Sequence, residues 1–371
     1  MNKAIVIGGS NGIGLAITKR LIDLGYSIEI LDRRRPEDGI LPEESFTYHF
    51  CDLLDLDEDL MDSLASDPEI TILMITAGFG RIADFEYFHT AEIKNMMTVN
   101  ATATIQILRM FYARVKNEKP FYCGVMGSIS GLMSSPSAAV YAASKAAVCR
   151  LIESVNIELE VFGTVNRILN VSPASFRGSQ FYGGQNQLDL LEGLADEIVG
   201  HLLNHDSMFI PQFEETFKAV LERYHDDPIE YGLHSYRYKK ESGRQDNHHR
   251  VKVGYFSGTF DLFDISHLNY LRCAKQQCDY LIAGVHDNAT WKEKETLSPI
   301  EERMQIVRAC KYVDKVVQSY GEDSDAWESW HYDRLFIKSD QKGTEQAKRY
   351  EEYFKDKNVE VMYISDEIIE S

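Results

Sequence analysis

A glycine-rich turn between a strand pattern and a helix pattern is the feature that most constrains the fold of this chain. Residues 3–7 form an apolar run suited to a buried parallel strand, and residues 8–14 carry four glycines. Apolar residues then recur at helical spacing to residue 22, and a second apolar segment follows at 27–31. Strand, turn, helix and strand in this order predict a doubly wound α/β fold with a parallel sheet.

Glycines at such a turn let a pyrophosphate approach the backbone and the positive end of a helix. The turn residues that we expect to line this site are Gly8, Ser10, Asn11, Gly12, Ile13 and Gly14. At the end of the second predicted strand, Asp32 can accept hydrogen bonds from a ribose 2′-hydroxyl group, which favours NAD. Arg33 directly after it suits the 2′-phosphate of NADP instead. Both cofactors stay open, with a weak preference for NAD.

Tyr141 and Lys145 lie four residues apart, and Ser128 lies thirteen positions before the tyrosine. On a helix, the ammonium group can sit beside the phenol, stabilise phenolate and lower a pKa that starts near ~10. The phenol can then exchange a proton with a hydroxyl or carbonyl group near neutral pH, and a serine hydroxyl can bond to the same oxygen. The set predicts carbonyl reduction or alcohol oxidation, which needs a hydride carrier.

These motifs resemble the short-chain dehydrogenase/reductase family over roughly residues 1–235, which implies a Rossmann-type domain. The glycines match its TGxxxGxG motif, with Ile7 in place of threonine, and residues 76–78 look like the tail of its NNAG motif. Residues 128–131 and 141–145 match its serine and YxxxK motifs. Further cofactor contacts implied by the resemblance are Asp52, Leu53, Ala77, Gly78 and Pro173.

The resemblance also implies catalytic roles for four polar residues of this domain. Tyr141 would be the acid/base, and Lys145 would lower its pKa and contact the ribose. Ser128 would orient the carbonyl group, and Asn100 would hold a water for proton relay. A domain that binds the cofactor without catalysing a reaction is the alternative.

A single domain of this kind ends near residue 235–250, so a chain of 371 residues must contain more. Residues 236–250 are polar without apolar periodicity, which predicts a linker. The strand, turn, helix and strand pattern then returns, with apolar segments at 251–256 and 280–285. We therefore predict a second, smaller Rossmann-like α/β domain over residues 251–371.

Residues 251–363 resemble the cytidylyltransferase family, especially its glycerol-3-phosphate and phosphoethanolamine or phosphocholine members. Residues 258–261 match its GTFD motif, and residues 301–303 and 312–314 match its ERxxxV and YVD segments. The resemblance implies a nucleotidyltransferase that uses CTP with Mg²⁺. The nucleotide-binding residues that it implies are Gly258, Thr259, Phe260, Asp261, His267, Lys292, Lys294 and Arg303.

This second domain departs from the family pattern at the HxGH motif, where residues 264–267 read Asp-Ile-Ser-His. The family's RTEGIST segment is also not recognisable in residues 363–371. Nucleotidyl transfer needs donors aimed at the charge that builds on the α-phosphate, and the loss of one such donor typically costs ~10²–10³ in rate. Asp264 adds a like charge, unless it points away, is protonated or binds Mg²⁺. An active transferase and a nucleotide-binding or structural remnant both stay open.

Composition excludes some classes of partner. The formal net charge is −19, which disfavours non-specific binding to nucleic acid. Apolar runs stay well below the ~18 residues of a membrane span, and scattered cysteines without CxxC pairs indicate reduced thiols in a cytoplasmic protein. The adjacent His248 and His249 lack partners at ligand spacing, so we predict no metal site.

The two halves together predict an NAD(P)-dependent reductase of a sugar or sugar-phosphate carbonyl, fused to a cytidylyltransferase-like domain. That domain would make a CDP-alditol from CTP and a polyol phosphate for a surface polysaccharide. One alternative is a reductase whose C-terminal domain serves only in nucleotide binding or dimerisation, and another is a nucleotide sensor without catalysis. Both family resemblances imply a homodimer, and the reductase family also forms tetramers.

Overall fold

The structure, a computed structural model, describes residues 2–174, 187–287, 296–319 and 321–365. The chain divides into two units, Met1–His248 and His249–Ser371, and each buries its own apolar clusters. Among the described residues, no helix combines the length and the apolar character needed to cross a bilayer.

The first unit is built on a parallel sheet. Its strands are β1 Lys3–Ile7, β2 Ser27–Asp32, β3 Phe46–Phe50, β4 Ile70–Ile75, β5 Tyr122–Met126, β6 Ile168–Val171 and β7 Met208–Phe209. Within the described residues, these seven strands pair in the order β3-β2-β1-β4-β5-β6-β7, all parallel. The order reverses between β1 and β4, and the carboxyl ends of these two strands are where an open α/β sheet binds ligands.

Helices cover both faces of this sheet. They are α1 Gly12–Asp23, α2 Glu58–Ser66, α3 Thr90–Met97, α4 Ala103–Met110, α5 Tyr112–Val115, α6 Ala139–Phe162, α7 Glu192–Leu203, α8 Lys218–Asp226 and α9 Pro228–Glu241. Alternation along β1 divides the core, since Ile5 and Ile7 pack into one cluster while Ala4 and Val6 pack into the other. Burial on both faces explains why this strand reads as a continuous apolar run.

The second unit repeats the architecture on a smaller scale. Its strands are β8 Val253–Gly258, β9 Tyr280–His286, β10 Lys315–Ser319, β11 Arg334–Lys338 and β12 Glu360–Ile364, and its helices are α10 Ile265–Gln276, α11 Ile300–Arg308, α12 Asp323–Trp330 and α13 Glu345–Phe354. Within the described residues, the strands pair in the order β10-β9-β8-β11-β12, all parallel. The predicted fold class, two Rossmann-like α/β units, is confirmed.

The predicted linker over residues 236–250 differs from the structure. Helix α9 continues to Glu241, and its first turn is capped by the Asp227 carboxylate, which accepts hydrogen bonds from the backbone N–H groups of Ile229 and Glu230. Pro228 at the first helical position supports the same start. The Asp227-Pro228 pair is a local signal for the start of a helix. The sequence reasoning missed the end of α9 because this helix is held by polar contacts, so its residues show no apolar periodicity.

Candidate functional site

The glycine turn after β1 lies at the reversal point of the first sheet, where backbones approach too closely for side chains. Gly8 adopts φ +85°, and a Cβ atom there would lie 2.6 Å from the backbone nitrogen of Ala77. A Cβ atom at Gly14 would collide with the carbonyl oxygen of Gly8. Thr76 donates its hydroxyl to the carbonyl groups of Ile7 and Gly8 at 2.9 and 3.1 Å, which ties the end of β4 to the turn. This cradle fits a dinucleotide pyrophosphate at the start of α1.

Asp32 lies beside this cradle at the end of β2. Its carboxylate accepts hydrogen bonds from the backbone N–H groups of Ser10 at 3.2 Å and Arg33 at 2.7 Å, while the Arg33 side chain is exposed. The Asp52 carboxylate, past the end of β3, accepts a bond from the backbone N–H of Leu54 at 3.0 Å, and Leu53 is buried. These positions suit the ribose and adenine contacts that the sequence predicts, which stay predictions.

Lys145 is a buried cation at the centre of the candidate active site. Its ammonium group donates to the carbonyl oxygen of Met126 at 2.6 Å and lies 6.0 Å from the centroid of the Tyr141 ring. A Cβ atom at Gly78 would lie 3.3 Å from the same ammonium. Burial lowers the pKa of the Lys145 ammonium to about 8. The structure therefore brings Tyr141 and Lys145 next to the loop that follows β4.

Asn100 lies in a π-helical turn, Thr98–Thr102, between α3 and α4 and is almost completely buried. Its amide group donates to the carbonyl oxygen of Phe79 at 2.8 Å and to the hydroxyl of Ser144 at 3.0 Å. Its side-chain oxygen accepts from the backbone N–H of Phe79 at 3.0 Å. These contacts join the loop after Gly78 to helix α6. The predicted relay through water stays a prediction, and the described contacts of this side chain give it a positioning role.

Ser128 follows β5, two residues after the carbonyl group that binds Lys145. It is buried, and its hydroxyl oxygen accepts a hydrogen bond from the backbone N–H of Ser130 at 3.2 Å. The backbone N–H of Ile129 donates to the carbonyl oxygen of Pro173 at 3.1 Å, so the predicted nicotinamide segment lies beside the serine turn. The predicted catalytic residues and the predicted cofactor residues of the first unit therefore share one edge of its sheet.

In the second unit, the predicted GTFD segment forms the turn after β8. Phe260 adopts φ +52° and is buried, and its ring lies 5.7 Å from that of His267. Asp261 accepts hydrogen bonds from the backbone N–H groups of Leu297 at 2.9 Å and Ser298 at 3.1 Å. The bond from Leu297, and to a smaller extent the bond from Ser298, holds the pKa of the Asp261 carboxyl below its usual range. Asp261 therefore joins the turn after β8 to residues 297–298, and nucleotide binding by this residue stays a prediction.

Asp264 occupies the N-terminus of α10. Its carboxylate accepts a hydrogen bond from the backbone N–H of His267 at 3.0 Å, and His267 Nδ1 accepts one from the backbone N–H of Asp264 at 3.3 Å. The bond from His267 holds the pKa of the Asp264 carboxyl below its usual range, so this group is an anion at neutral pH. A carboxylate therefore satisfies the helix N-terminus where the family pattern has a histidine.

Arg303 is almost completely buried and joins two turns and the end of β9. Its guanidinium donates to the carbonyl oxygens of Ser298 at 3.0 Å and His286 at 2.9 Å, and also to that of Thr259. Its described bonds therefore run to backbone carbonyls, and phosphate binding by this residue stays a prediction. The other two predicted cations, Lys292 and Lys294, lie outside the described residues.

Lys338 is a cation that the sequence reasoning missed. It ends β11, beside the reversal of strand order between β8 and β11, and its ammonium lies 4.8 Å from the centroid of the Tyr270 ring on α10. The apolar run before it, residues 335–337, was the available signal, since a polar residue that follows a buried parallel strand lies at the ligand-binding edge. Among the described residues, no cluster of three His, Cys, Asp or Glu side chains could hold a metal ion.

Comparison with protein families supports this division of the chain. Residues 2–181 match the short chain dehydrogenase family, and residues 255–371 match the cytidylyltransferase-like family. Both resemblances predicted from the motifs are confirmed at the level of the domain family.

Curated relatives match the two parts separately. A probable ethanolamine-phosphate cytidylyltransferase of Encephalitozoon cuniculi is 45% identical over 73 residues, which cover 19% of this chain and 23% of the relative. Dehydrogenase RED2 of Cochliobolus heterostrophus is 28% identical over 160 residues, 42% of this chain and 60% of the relative. A very-long-chain 3-oxoacyl-CoA reductase of Emericella nidulans is 25% identical over 173 residues, 43% and 50% respectively. The matched segments thus span 23% to 60% of the length of these relatives.

Solved structures resemble the first unit in fold. A short chain dehydrogenase/reductase of Burkholderia phymatum in complex with NAD has a TM-score of 0.52 and 17% identity, covering 61% of this chain and 93% of that one. A short-chain dehydrogenase of Sphingobium yanoikuyae in complex with NADPH has a TM-score of 0.50 and 20% identity, covering 61% and 96%.

The position of Asp32 predicts how cofactor selectivity changes on mutation. Asp32→Asn removes the charge that would repel a 2′-phosphate and weakens the acceptor for a ribose hydroxyl, so we expect NADPH to gain about tenfold in affinity relative to NADH. Fluorescence titration of both cofactors measures this ratio. Asp38→Asn, which removes an exposed carboxylate later in the same loop, should leave it unchanged. An unaltered ratio in Asp32→Asn would show that the ribose lies elsewhere.

Proposed function

Because the chain joins a short-chain dehydrogenase domain to a cytidylyltransferase-like domain, we propose that it is an NAD(P)-dependent oxidoreductase that acts on a carbonyl group or the corresponding alcohol. The observation that carries this proposal is the buried Lys145 ammonium, 6.0 Å from the Tyr141 ring, at the same sheet edge as the glycine turn. Burying a cation with no acidic partner among the described residues costs free energy. A catalytic use of the charge accounts for its presence at this site.

The side chains of this site can handle the proton of such a reaction. A nicotinamide dinucleotide, when bound, supplies or accepts the hydride. Tyr141 then gives its phenolic proton to the carbonyl oxygen during reduction, or takes the proton of the alcohol during oxidation. The Lys145 ammonium stabilises the phenolate that remains, and the Ser128 hydroxyl donates a hydrogen bond to the substrate oxygen. Asn100 holds the loop that places Gly78 beside the lysine.

The substrate class follows from the fusion. Reduction of the carbonyl group of a sugar or sugar phosphate gives an alditol or an alditol phosphate. A cytidylyltransferase would join that phosphate to CTP with Mg²⁺, releasing pyrophosphate and forming a CDP-alditol. We propose this order of reactions, with a role in surface polysaccharide synthesis, a cytoplasmic location and a homodimer or tetramer as the finer parts of the proposal. The family of the second unit supports the product class.

A second candidate function is a reductase whose C-terminal unit is catalytically silent. Asp264 favours it, because its carboxylate satisfies the N-terminus of α10 and binds His267. A nucleotide phosphate that approached this helix would meet an anion already in place. In this alternative, the second unit binds nucleotides or mediates dimerisation.

The first prediction from this proposed function concerns Tyr141 as the acid/base. Tyr141→Phe removes the phenolic proton but keeps the ring, so turnover of NAD(P)H with a panel of aldoses, ketoses and their phosphates should fall at least about 10²-fold. Dinucleotide affinity should stay within several-fold, because the cradle at Gly8 and Gly14 is untouched. Tyr112→Phe, a partly exposed tyrosine on α5, is the matched control and should behave as the wild type. Near-normal turnover in Tyr141→Phe would refute the assignment.

A second prediction concerns pH. The Lys145 ammonium is present below its pKa of about 8 and is lost as pH rises through that value, so kcat/KM for carbonyl reduction should decline above about pH 8. Lys145→Arg keeps its charge to much higher pH, so its basic limb should move upward even though its rate is lower. The pH profile of both enzymes tests this. A basic limb at the same pH in the two proteins would assign the limb to another group.

A third prediction separates the two candidate roles of the second unit. Asp264→Asn keeps a good helix cap and removes the charge, so calorimetric titration with CTP and Mg²⁺ should show about tenfold tighter binding than the wild type. Asp264→His restores the residue of the family motif, and ATP is the nucleotide control. CTP-selective heat in these titrations supports a CTP site, and pyrophosphate release from CTP with a panel of alditol phosphates then separates a working transferase from a unit that only binds nucleotides. An absence of heat in the wild type and both variants, with NAD(H) binding intact, would establish the silent alternative.

A further inference from the structure

The last part of the first unit folds back onto loops beside the candidate active site. We name residues 228–248, which comprise α9 and the stretch after it, the clasp. The clasp lies between the two family matches, which cover residues 2–181 and 255–371. Neither family match therefore covers the clasp itself, although its contacts run to residues inside the first match.

Asp84 is the centre of these contacts. One of its carboxylate oxygens accepts hydrogen bonds from the Ser137 hydroxyl at 3.2 Å and the Gln245 amide at 3.1 Å. The other accepts from the Tyr236 hydroxyl at 3.1 Å and the Asn247 amide at 2.9 Å. Its backbone N–H donates to the Asn247 side-chain oxygen at 2.8 Å. Three of the four donors to the carboxylate belong to the clasp, and the fourth lies just before helix α6.

Ser137 connects this cluster to the catalytic helix. It is buried with φ +60°, a left-handed conformation that residues other than glycine rarely adopt. Its carbonyl oxygen accepts a hydrogen bond from the backbone N–H of Ala83 at 2.6 Å. Helix α6 begins two residues later at Ala139 and carries Tyr141 in its first turn. The strained backbone at Ser137 persists because Asp84 and its neighbours hold it, and this backbone sets where α6 starts.

Arg81 is a second anchor of the clasp. Its buried guanidinium binds both oxygens of the Glu92 carboxylate at 2.9 and 2.8 Å. It also donates to the backbone carbonyl oxygens of Asp246 at 2.8 Å and of His248. The backbone N–H of Asp246 in turn donates to the carbonyl oxygen of Ile82 at 2.7 Å. The loop held in this way, residues 81–84, follows Gly78, which lies beside the Lys145 ammonium.

Helix α9 also forms hydrogen bonds with the loop between Ser128 and Tyr141. Lys239 donates from its ammonium group to the Ser135 hydroxyl at 2.8 Å and the Pro136 carbonyl oxygen at 2.7 Å. Gly232 is buried against the same loop, where a Cβ atom would lie 3.7 Å from the Pro136 ring. The clasp thus contacts both loops that border the catalytic tyrosine.

We propose that Asp84 is a positioning residue for the hydride-transfer reaction, acting through the clasp and Ser137 on the start of α6 and hence on Tyr141. This inference rests on the proposed oxidoreductase function. On this proposal, residues 245–248, which lead into the second unit, belong to the reductase site, because they supply the groups that hold the loop over residues 81–84.

Kinetics of three variants test the proposal. Asp84→Asn puts an amide donor against groups that are themselves donors, and Tyr236→Phe removes one bond. Tyr238→Phe is the matched control, since this exposed tyrosine lies two residues along the same helix. We expect kcat to fall about 10- to 100-fold in Asp84→Asn and several-fold in Tyr236→Phe, with dinucleotide affinity unchanged, and the control to match the wild type. In Asp84→Asn, the basic limb of the pH–rate profile, which we assign to Lys145, should also move, because the Tyr141 phenol no longer sits correctly beside that ammonium.

Amide hydrogen exchange over residues 133–141 gives a readout that does not depend on activity. Faster exchange in Asp84→Asn, with the Tyr238→Phe protein unchanged, supports the clasp. Wild-type exchange in Asp84→Asn, or a kcat within twofold of an active wild type, overturns it. If the wild-type protein oxidises no NAD(P)H with any carbonyl tested, the proposed function fails, and the exchange comparison alone decides whether Asp84 holds this segment.

Discussion

The close approach of backbones at Gly8 and Gly14 is the constraint on which the first unit depends. The turn after β1 packs against the end of β4, and a side chain at either glycine would push these strands apart at the point where the strand order reverses. The same absence of side chains leaves the start of α1 open, with no acidic residue in its first turn. Fold and ligand site therefore rest on one steric requirement, because the absence of side chains that lets the turn pack against the end of β4 also leaves room for a phosphate at the start of α1.

The two units use the N-terminus of a helix in opposite ways. In the first unit, α1 begins at the glycine turn, and its backbone N–H groups face the edge where a dinucleotide would bind. In the second unit, Asp264 lies just before α10, and its carboxylate accepts a hydrogen bond from the backbone N–H of His267 in the first turn of that helix. A site that supplies its own anion holds a phosphate less well. This difference explains why the reductase role is the better supported half of the proposal.

Each unit contains a buried cation that is held by backbone carbonyl oxygens. Lys145 is fixed by the carbonyl oxygen of Met126, and Arg303 is fixed by the carbonyl oxygens of Ser298, Thr259 and His286. Carbonyl groups at the ends of parallel strands carry partial negative charge, so they hold a cation without neutralising it. Lys145 keeps a charge available to Tyr141 in this way, whereas the described bonds of Arg303 stabilise the loops around β8 and β9.

The sequence by itself determined the fold class, the glycine cradle and the pairing of Tyr141 with Lys145. These follow from local rules, since strand and helix periods and the spacing of four residues on a helix act over short stretches of chain. Only the tertiary structure decided that α9 extends into the predicted linker as far as Glu241, that Arg303 binds carbonyl groups and that Asp84 joins residues 236–247 to Ser137. Asp84 and Asn247 are 163 positions apart, and no spacing rule links polar residues over such a distance. Their contact exists because two segments that are distant in the chain pack against each other within the first unit, which is a property of packing rather than of sequence pattern.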